Sequence, residues 1–172
     1  MRLYLMTLMA LLAFNVVAQS NRLYIEDFEI EPDATLTVPV VLANQDSTCG
    51  FQFGMTLPHG LEVKDIRLTD SMNKMGFRMN HSERGANCMV MVYSLRQEYC
   101  VPDTVQVLEI DFGAHSGFKG GDIVLCKCRG AAVGNQCIYM DDGTAHVAVP
   151  SRSLIGVPID QQQGDFHFNN DE

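Results

Sequence analysis

Alternation of apolar and polar residues at period two runs through most of this sequence and leaves few folds open to it. Phe51, Phe53, Met55 and Leu57 fall on one parity, with Gln52, Gly54 and Thr56 between them. Successive side chains of a strand point to opposite faces, so such a run buries one face and wets the other. Leu36, Val38, Val40 and Leu42 form a second apolar face. Pro39 lies on the opposite parity, which places it at a sheet edge or a bulge. Further runs cover residues 23–28, 61–68, 88–93, 105–112, 123–126, 137–140, 145–149 and 154–157. The run 88–93 is almost wholly apolar, which predicts a strand covered on both faces. In 105–112, Gln106, Leu108, Ile110 and Phe112 share one side.

Turn chemistry separates the runs: Pro32-Asp33, Pro58-His59-Gly60, Arg84-Gly85, Gly120-Gly121 and Asp142-Gly143. Residues 71–77 leave room for a helical turn, and no long amphipathic helix is visible. About nine short strands at this spacing predict an all-β, antiparallel sandwich. A chain of 172 residues with 47% hydrophobic content is large enough to bury one such core.

The first eighteen residues read as a leader. Met1-Arg2 gives a positive start, residues 3–14 are apolar apart from Thr7, and Asn15-Val16-Val17-Ala18 offers small residues before a cut after Ala18. The apolar run is shorter than the ~20 residues a bilayer span needs. The expected organisation is a signal peptide at 1–18, one sandwich domain at 19–157 and a polar flexible tail at 158–172, rich in Gln, Asn and Asp. Export to the periplasm, cell surface or exterior follows, with no membrane insertion after cleavage. The net charge of −9 argues against nucleic acid.

Six cysteines, Cys49, Cys88, Cys100, Cys126, Cys128 and Cys137, all follow the leader. In an exported chain an even count predicts disulfides. Folding 122–128 onto 134–140 through a Gly-bearing turn would set Cys137 opposite Cys126 or Cys128, which at i and i+2 would share one strand face. Cys88 and Cys100 would bridge the loop between them. A zinc site fits less well, because Cys126-Lys127-Cys128 is the only tight spacing and no histidine stands beside it at ligand spacing; free buried thiols are the other alternative.

No motif meets the requirements of catalysis, and no cofactor is expected. His81-Ser82-Glu83 offers base, nucleophile and acid, but adjacent residues cannot converge as a triad. Asp141-Asp142 before Gly143 reads as a solvated turn rather than a calcium loop, and His59 as a turn residue. Gly117-Phe118-Lys119-Gly120-Gly121 precedes a strand rather than a helix, so it reads as a hairpin turn and not a phosphate cradle. Met72, Met75, Met79, Met89 and Met91 read as core filling rather than copper ligands.

The ordered set Leu23-Tyr24-Ile25-Glu26-Asp27-Phe28, Pro32, the 36–42 strand, Phe51-Gln52-Phe53 and Leu57-Pro58-His59-Gly60-Leu61 resembles cohesin-like domains of exported Bacteroidetes proteins. Val92-Tyr93-Ser94 and the 108–112 strand before a Gly-rich turn fit the same pattern. The resemblance covers residues 22–150 and implies a nine-stranded jelly-roll sandwich, related in shape to some cellulose-binding modules. Cohesins hold dockerin modules through one sheet face in polysaccharide-degrading assemblies. The resemblance therefore implies a non-catalytic exported module with a protein partner at the envelope or in a polysaccharide-related assembly. A carbohydrate-binding module is the alternative, and a structural envelope component a second one. Sugar platforms use flat aromatic rings, and this chain has no tryptophan. Of Tyr24, Tyr93, Tyr99 and Tyr139, Tyr99 in the loop after Ser94 is the candidate ligand contact, the others falling largely in strands where burial is expected.

Overall fold

The computed structural model describes residues 20–151, apart from Gln97, Val133 and Asn135. The expected signal peptide, the run at 154–157 and the tail at 158–172 lie outside the described residues. Among the described residues there are eleven strands and one short helix. In chain order the strands are β1 (Arg22–Tyr24), β2 (Phe28–Glu29), β3 (Thr35–Asn44), β4 (Thr48–Thr56), β5 (Leu61–Leu68), β6 (Phe77–Arg84), β7 (Asn87–Ser94), β8 (Asp103–Ala114), β9 (Gly121–Ala132), β10 (Cys137–Tyr139) and β11 (Gly143–Ala148). The helix, α1 (Asp70–Lys74), lies between β5 and β6 and is capped by the Thr69 hydroxyl, which accepts from the Met72 amide.

Two sheets form the sandwich. Sheet A runs β1-β3-β8-β5 and sheet B runs β2-β11-β9-β4-β7-β6, with β10 on the upper half of β9. Among the described residues every strand-to-strand pairing is antiparallel except β2 with β11, and an isolated bridge between Arg22 and Asp141 is also parallel. The predicted all-β sandwich therefore stands, with eleven strands instead of about nine. One added strand comes from the run 23–28, which divides: β1 joins sheet A while β2 joins sheet B. Another is β6, which the alternation did not reveal, because only Phe77 of its residues is buried.

The apolar parities meet between the sheets. Phe51, Phe53, Met55 and Leu57 are all buried, as are Val38, Val40, Leu42, Leu108, Ile110 and Phe112. A bulge corrects one detail, and an open edge accounts for another residue as expected. Gln106 is exposed because Val107 is the extra residue opposite Val40 and Val41, which reverses the parity of β8 there. Pro39 lies where β3 has β8 on one side and no strand on the other, since β1 pairs only with residues Val41 to Ala43. The Gly-rich stretch at 117–121 is a crossover from sheet A to sheet B, not a hairpin turn. Its Phe118 is buried and closes one end of the core.

Candidate binding face

The outer surfaces of the two sheets differ in chemistry. On sheet A, the Arg67 guanidinium donates from Nε to Glu109 at 2.8 Å and from Nη1 to Asp111 at 2.7 Å. Thr37 donates its hydroxyl to Asp111 at 2.6 Å. Arg67 and the Thr37 hydroxyl hold the Asp111 carboxyl below the ordinary carboxylate range, and the carboxylates in turn raise Arg67 further. This face is wetted and its charges are matched internally.

Sheet B presents something else. The register of β6, β7, β4 and β9 sets its outer face row by row. Arg78, Tyr93, Gly50 and Ala131 form the first row, and Asn80, Met91, Gln52 and Arg129 the second. Ser82, Met89, Gly54 and Cys126 form the third, and Arg84, Asn87, Thr56 and Val124 the fourth. β10 extends the first two rows with Cys137 and Tyr139. Strand β4 carries glycine, glutamine and glycine along this face, so its centre is low. Methionines and a tyrosine from β7 rise on one side, and Arg129 from β9 rises on the other.

The result is a groove of about 370 Å³ lined by Gly50, Gln52, Met91, Tyr93, Arg129 and Ala131, with the backbone of Phe51, Val92 and Gly130 as floor. A second hollow of about 180 Å³ continues it past Gly54 to Met89, Cys126, Lys127 and Arg84. The glycines are needed for this depth. A Cβ on Gly50 would meet the Val92 carbonyl at 2.9 Å, and one on Gly54 would meet the Cys126 sulfur at 3.0 Å. Met91 is 46% exposed, Val124 43% and Tyr139 75%. At the upper end, the loop after β7 adds exposed Leu95, Tyr99 and Val101. The strand at 88–93 is thus covered on one face only, contrary to the expectation from its composition.

No protein-family model and no curated protein sequence matches the chain. Solved structures do. A cohesin module from a Clostridium perfringens family 33 glycoside hydrolase superposes with a TM-score of 0.65 at 9% identity, covering 76% of this chain and 97% of its own. The cohesin of a type I cohesin–dockerin complex from Clostridium thermocellum gives 0.63 at 13%, covering 76% and 99%. A non-cellulosomal cohesin from Archaeoglobus fulgidus gives 0.60 at 13%, covering 75% and 91%. The fold is that of a cohesin module.

Within this cohesin fold the six cysteines are free thiols, and the predicted bridges are ruled out by spacing. Cys88 pairs with Met55 and Cys100 bridges to Thr48, at opposite ends of β4. Seven residues of strand separate them by more than about 20 Å, against the ~4.4–6.8 Å between Cα atoms that a disulfide spans. Cys137 faces Ala131, because β9 continues past the expected turn. Cys128 is then three residues away along the strand, roughly 10 Å. Cys126 and Cys128 do not share a face either. Lys127 adopts a φ of 56°, and a register shift between Gln52 and Gly54 marks a bulge there. The bulge turns Cys126 outward over Gly54 and Cys128 into the core. Cys49 sits at another bulge, its sulfur 3.2 Å from the Ala131 carbonyl oxygen. Burial pushes the Cys88 and Cys100 thiols up to about 11. Burial first, then the Asp142 carboxylate, pushes Cys128 up to about 12.

The remaining sequence candidates scatter. His81 and Glu83 stand on the opposite parity of β6 from Ser82, so no triad forms. Asp142 accepts the Cys128 amide at 3.1 Å and Asp141 the Ser20 hydroxyl at 2.5 Å. Met72 fills core and contacts the Cys100 sulfur at 3.8 Å, whereas Met91 and Met75 are surface residues. Tyr99 is 49% exposed, but Tyr139 is more so, and Arg129 lies over its ring at 5.0 Å. The alternation around Ile138 was the signal for Tyr139: Ile138 points inward, so its neighbours point out.

Proposed function

We propose that this chain is an exported, non-catalytic module that captures a protein partner on the outer face of sheet B. The observation that carries this reading is the low, apolar groove floored by Gly50 and Gly54 and walled by Met91, Tyr93 and Arg129. An accessible apolar patch with arginine and aromatic residues at its centre has the composition of a binding hot spot. Sheet A, with its internally paired charges, has none. The likeness to a cohesin seen in complex with its dockerin supports a protein as the partner. The leader at 1–18 supports export, and among the described residues no helix is long and apolar enough to cross a membrane. A polysaccharide-related setting is part of this proposal and rests on the same likeness.

The protein reading is preferred to a sugar platform because the most exposed ring, Tyr139, already has Arg129 over its face. The test is capture from envelope extract by the wild-type chain and by two charge variants. Met91→Asp should lower recovery of a stoichiometric partner at least tenfold, while Arg67→Ala on sheet A should leave it unchanged. Equal recovery by wild type and Met91→Asp, or loss with Arg67→Ala alone, would put the partner elsewhere. Retention of the chain on immobilised glycan with no protein captured would favour the carbohydrate alternative.

A further inference from the structure

The groove is rimmed by cations in a chain whose net charge is −9. Arg78, Lys127 and Arg129 stand around it with Arg84 at its lower end, and the four cross-strand rows contain no carboxylate. Among the described residues none of these four cations is ion-paired with an acid. The complementary chemistry occurs in this same sequence. Between Ser153 and Glu172 the one basic residue is His167, and Asp160, Asp165, Asp171 and Glu172 surround Phe166 and Phe168. Two phenylalanines at i and i+2 share one side of an extended segment.

We propose that residues 165–172 dock in this groove within the same molecule. Phe166 and Phe168 would lie on Met91 and Tyr93, where sulfur–aromatic and ring contacts are favourable. The flanking acids would face Arg78, Arg84, Lys127 and Arg129. Sheet A offers no equivalent, because Arg67 on its outer face is already engaged by Asp65, Glu109 and Asp111 and is not free to pair with the segment.

The connection is long enough. The described chain ends at Ser151, just past β11, where Val147 pairs with Gly121 at the start of β9. Because β11 runs antiparallel to β9, Ser151 lies four residues beyond the Gly121 end, so Arg129 is about twelve strand residues away, roughly 40 Å. From Ser151 to Phe166 an extended chain reaches roughly 50 Å, enough to cover that distance. A docked segment would compete with the outside partner and weaken its apparent affinity. That last consequence rests on the proposed partner site; the docking itself does not.

The test uses the full chain with ¹³C-methyl-labelled methionines, assigned by Met89→Leu and Met91→Leu. The Met91 methyl signal should move between wild type and Phe166→Ala/Phe168→Ala, and the buried Met72 signal should stay. The difference should survive tenfold dilution and shrink in high salt, as charge pairing requires. Arg129→Glu with intact phenylalanines should move the Met91 methyl towards its position in the double variant. An identical Met91 signal in wild type and double variant would overturn the proposal, as would a difference that vanishes on dilution, which would mean docking between copies. Because no partner is added, this readout is independent of partner capture, and either can fail alone.

Discussion

At the scale of single residues, Asn44 makes the most demanding polar contacts in the core. It is 3% exposed, and its Nδ2 donates to the carbonyl oxygens of Asp46 at 2.7 Å, Val101 at 3.2 Å and Cys100 at 3.3 Å. It thereby ties the β3–β4 turn to the loop that precedes β8. Its Oδ1 has no partner among the described residues. Removing the donor leaves three carbonyls without it, so Asn44→Ala should destabilise the fold by about 1–3 kcal/mol. Asn44→Asp keeps the shape but points a carboxylate at those carbonyls, so it should be the worse variant at neutral pH. Urea midpoints rank the two directly; an Asp variant as stable as wild type would contradict the contact geometry. Nothing in the sequence marked Asn44, because its importance comes from carbonyls on a loop more than fifty residues away in the chain.

At the scale of elements, the period-two pattern was readable wherever a strand is regular. Residues 51–57 fold as their alternation implies, with Phe51, Phe53, Met55 and Leu57 all buried, whereas in 61–68 a bulge between Val63 and Asp65 shifts the parity. Bulges and edges are where the pattern failed. A bulge adds one residue and reverses parity, and no composition marks it. That is why Gln106 was placed with Leu108, and why Cys126 and Cys128 were placed on one face. Strand β6 is an edge strand with little to bury, so its polar residues hid it. The bulge at Lys127 has a chemical consequence. With the native chain at pH 7, a small maleimide should label Cys137 and Cys126 within minutes. Cys88, Cys100 and Cys128 should react only on unfolding, because they are buried and their thiols stay protonated. Mass mapping of the labelled peptides checks this. Rapid labelling of Cys128, or a native disulfide to any of the three buried thiols, would contradict the register of β9.

At the scale of the whole molecule, the two sheets share one core and divide the surface into two kinds of face. The sandwich and its resemblance to cohesins were legible from the ordered set of apolar runs, because burial on one face imposes alternation. The groove was not legible. It depends on which residues of four strands become cross-strand neighbours, and Gly50, Gln52, Met91 and Arg129 come together only once β4 pairs with both β7 and β9. Sequence reading assigned Met91 to the core and Tyr139 to burial for that reason. The same four strands explain how an acidic chain can present a basic surface: Arg78, Arg84, Lys127 and Arg129 stand together on one face, whose cross-strand rows carry no carboxylate.

The most direct measurement of the central claim is amide hydrogen exchange on the chain alone and with the protein it captures. Binding on the outer face of sheet B should slow exchange in 50–54, 89–93 and 126–131, with no change in 35–39 or 109–111. Protection confined to the sheet A segments, or absent from the groove strands while the complex is intact, would contradict the account.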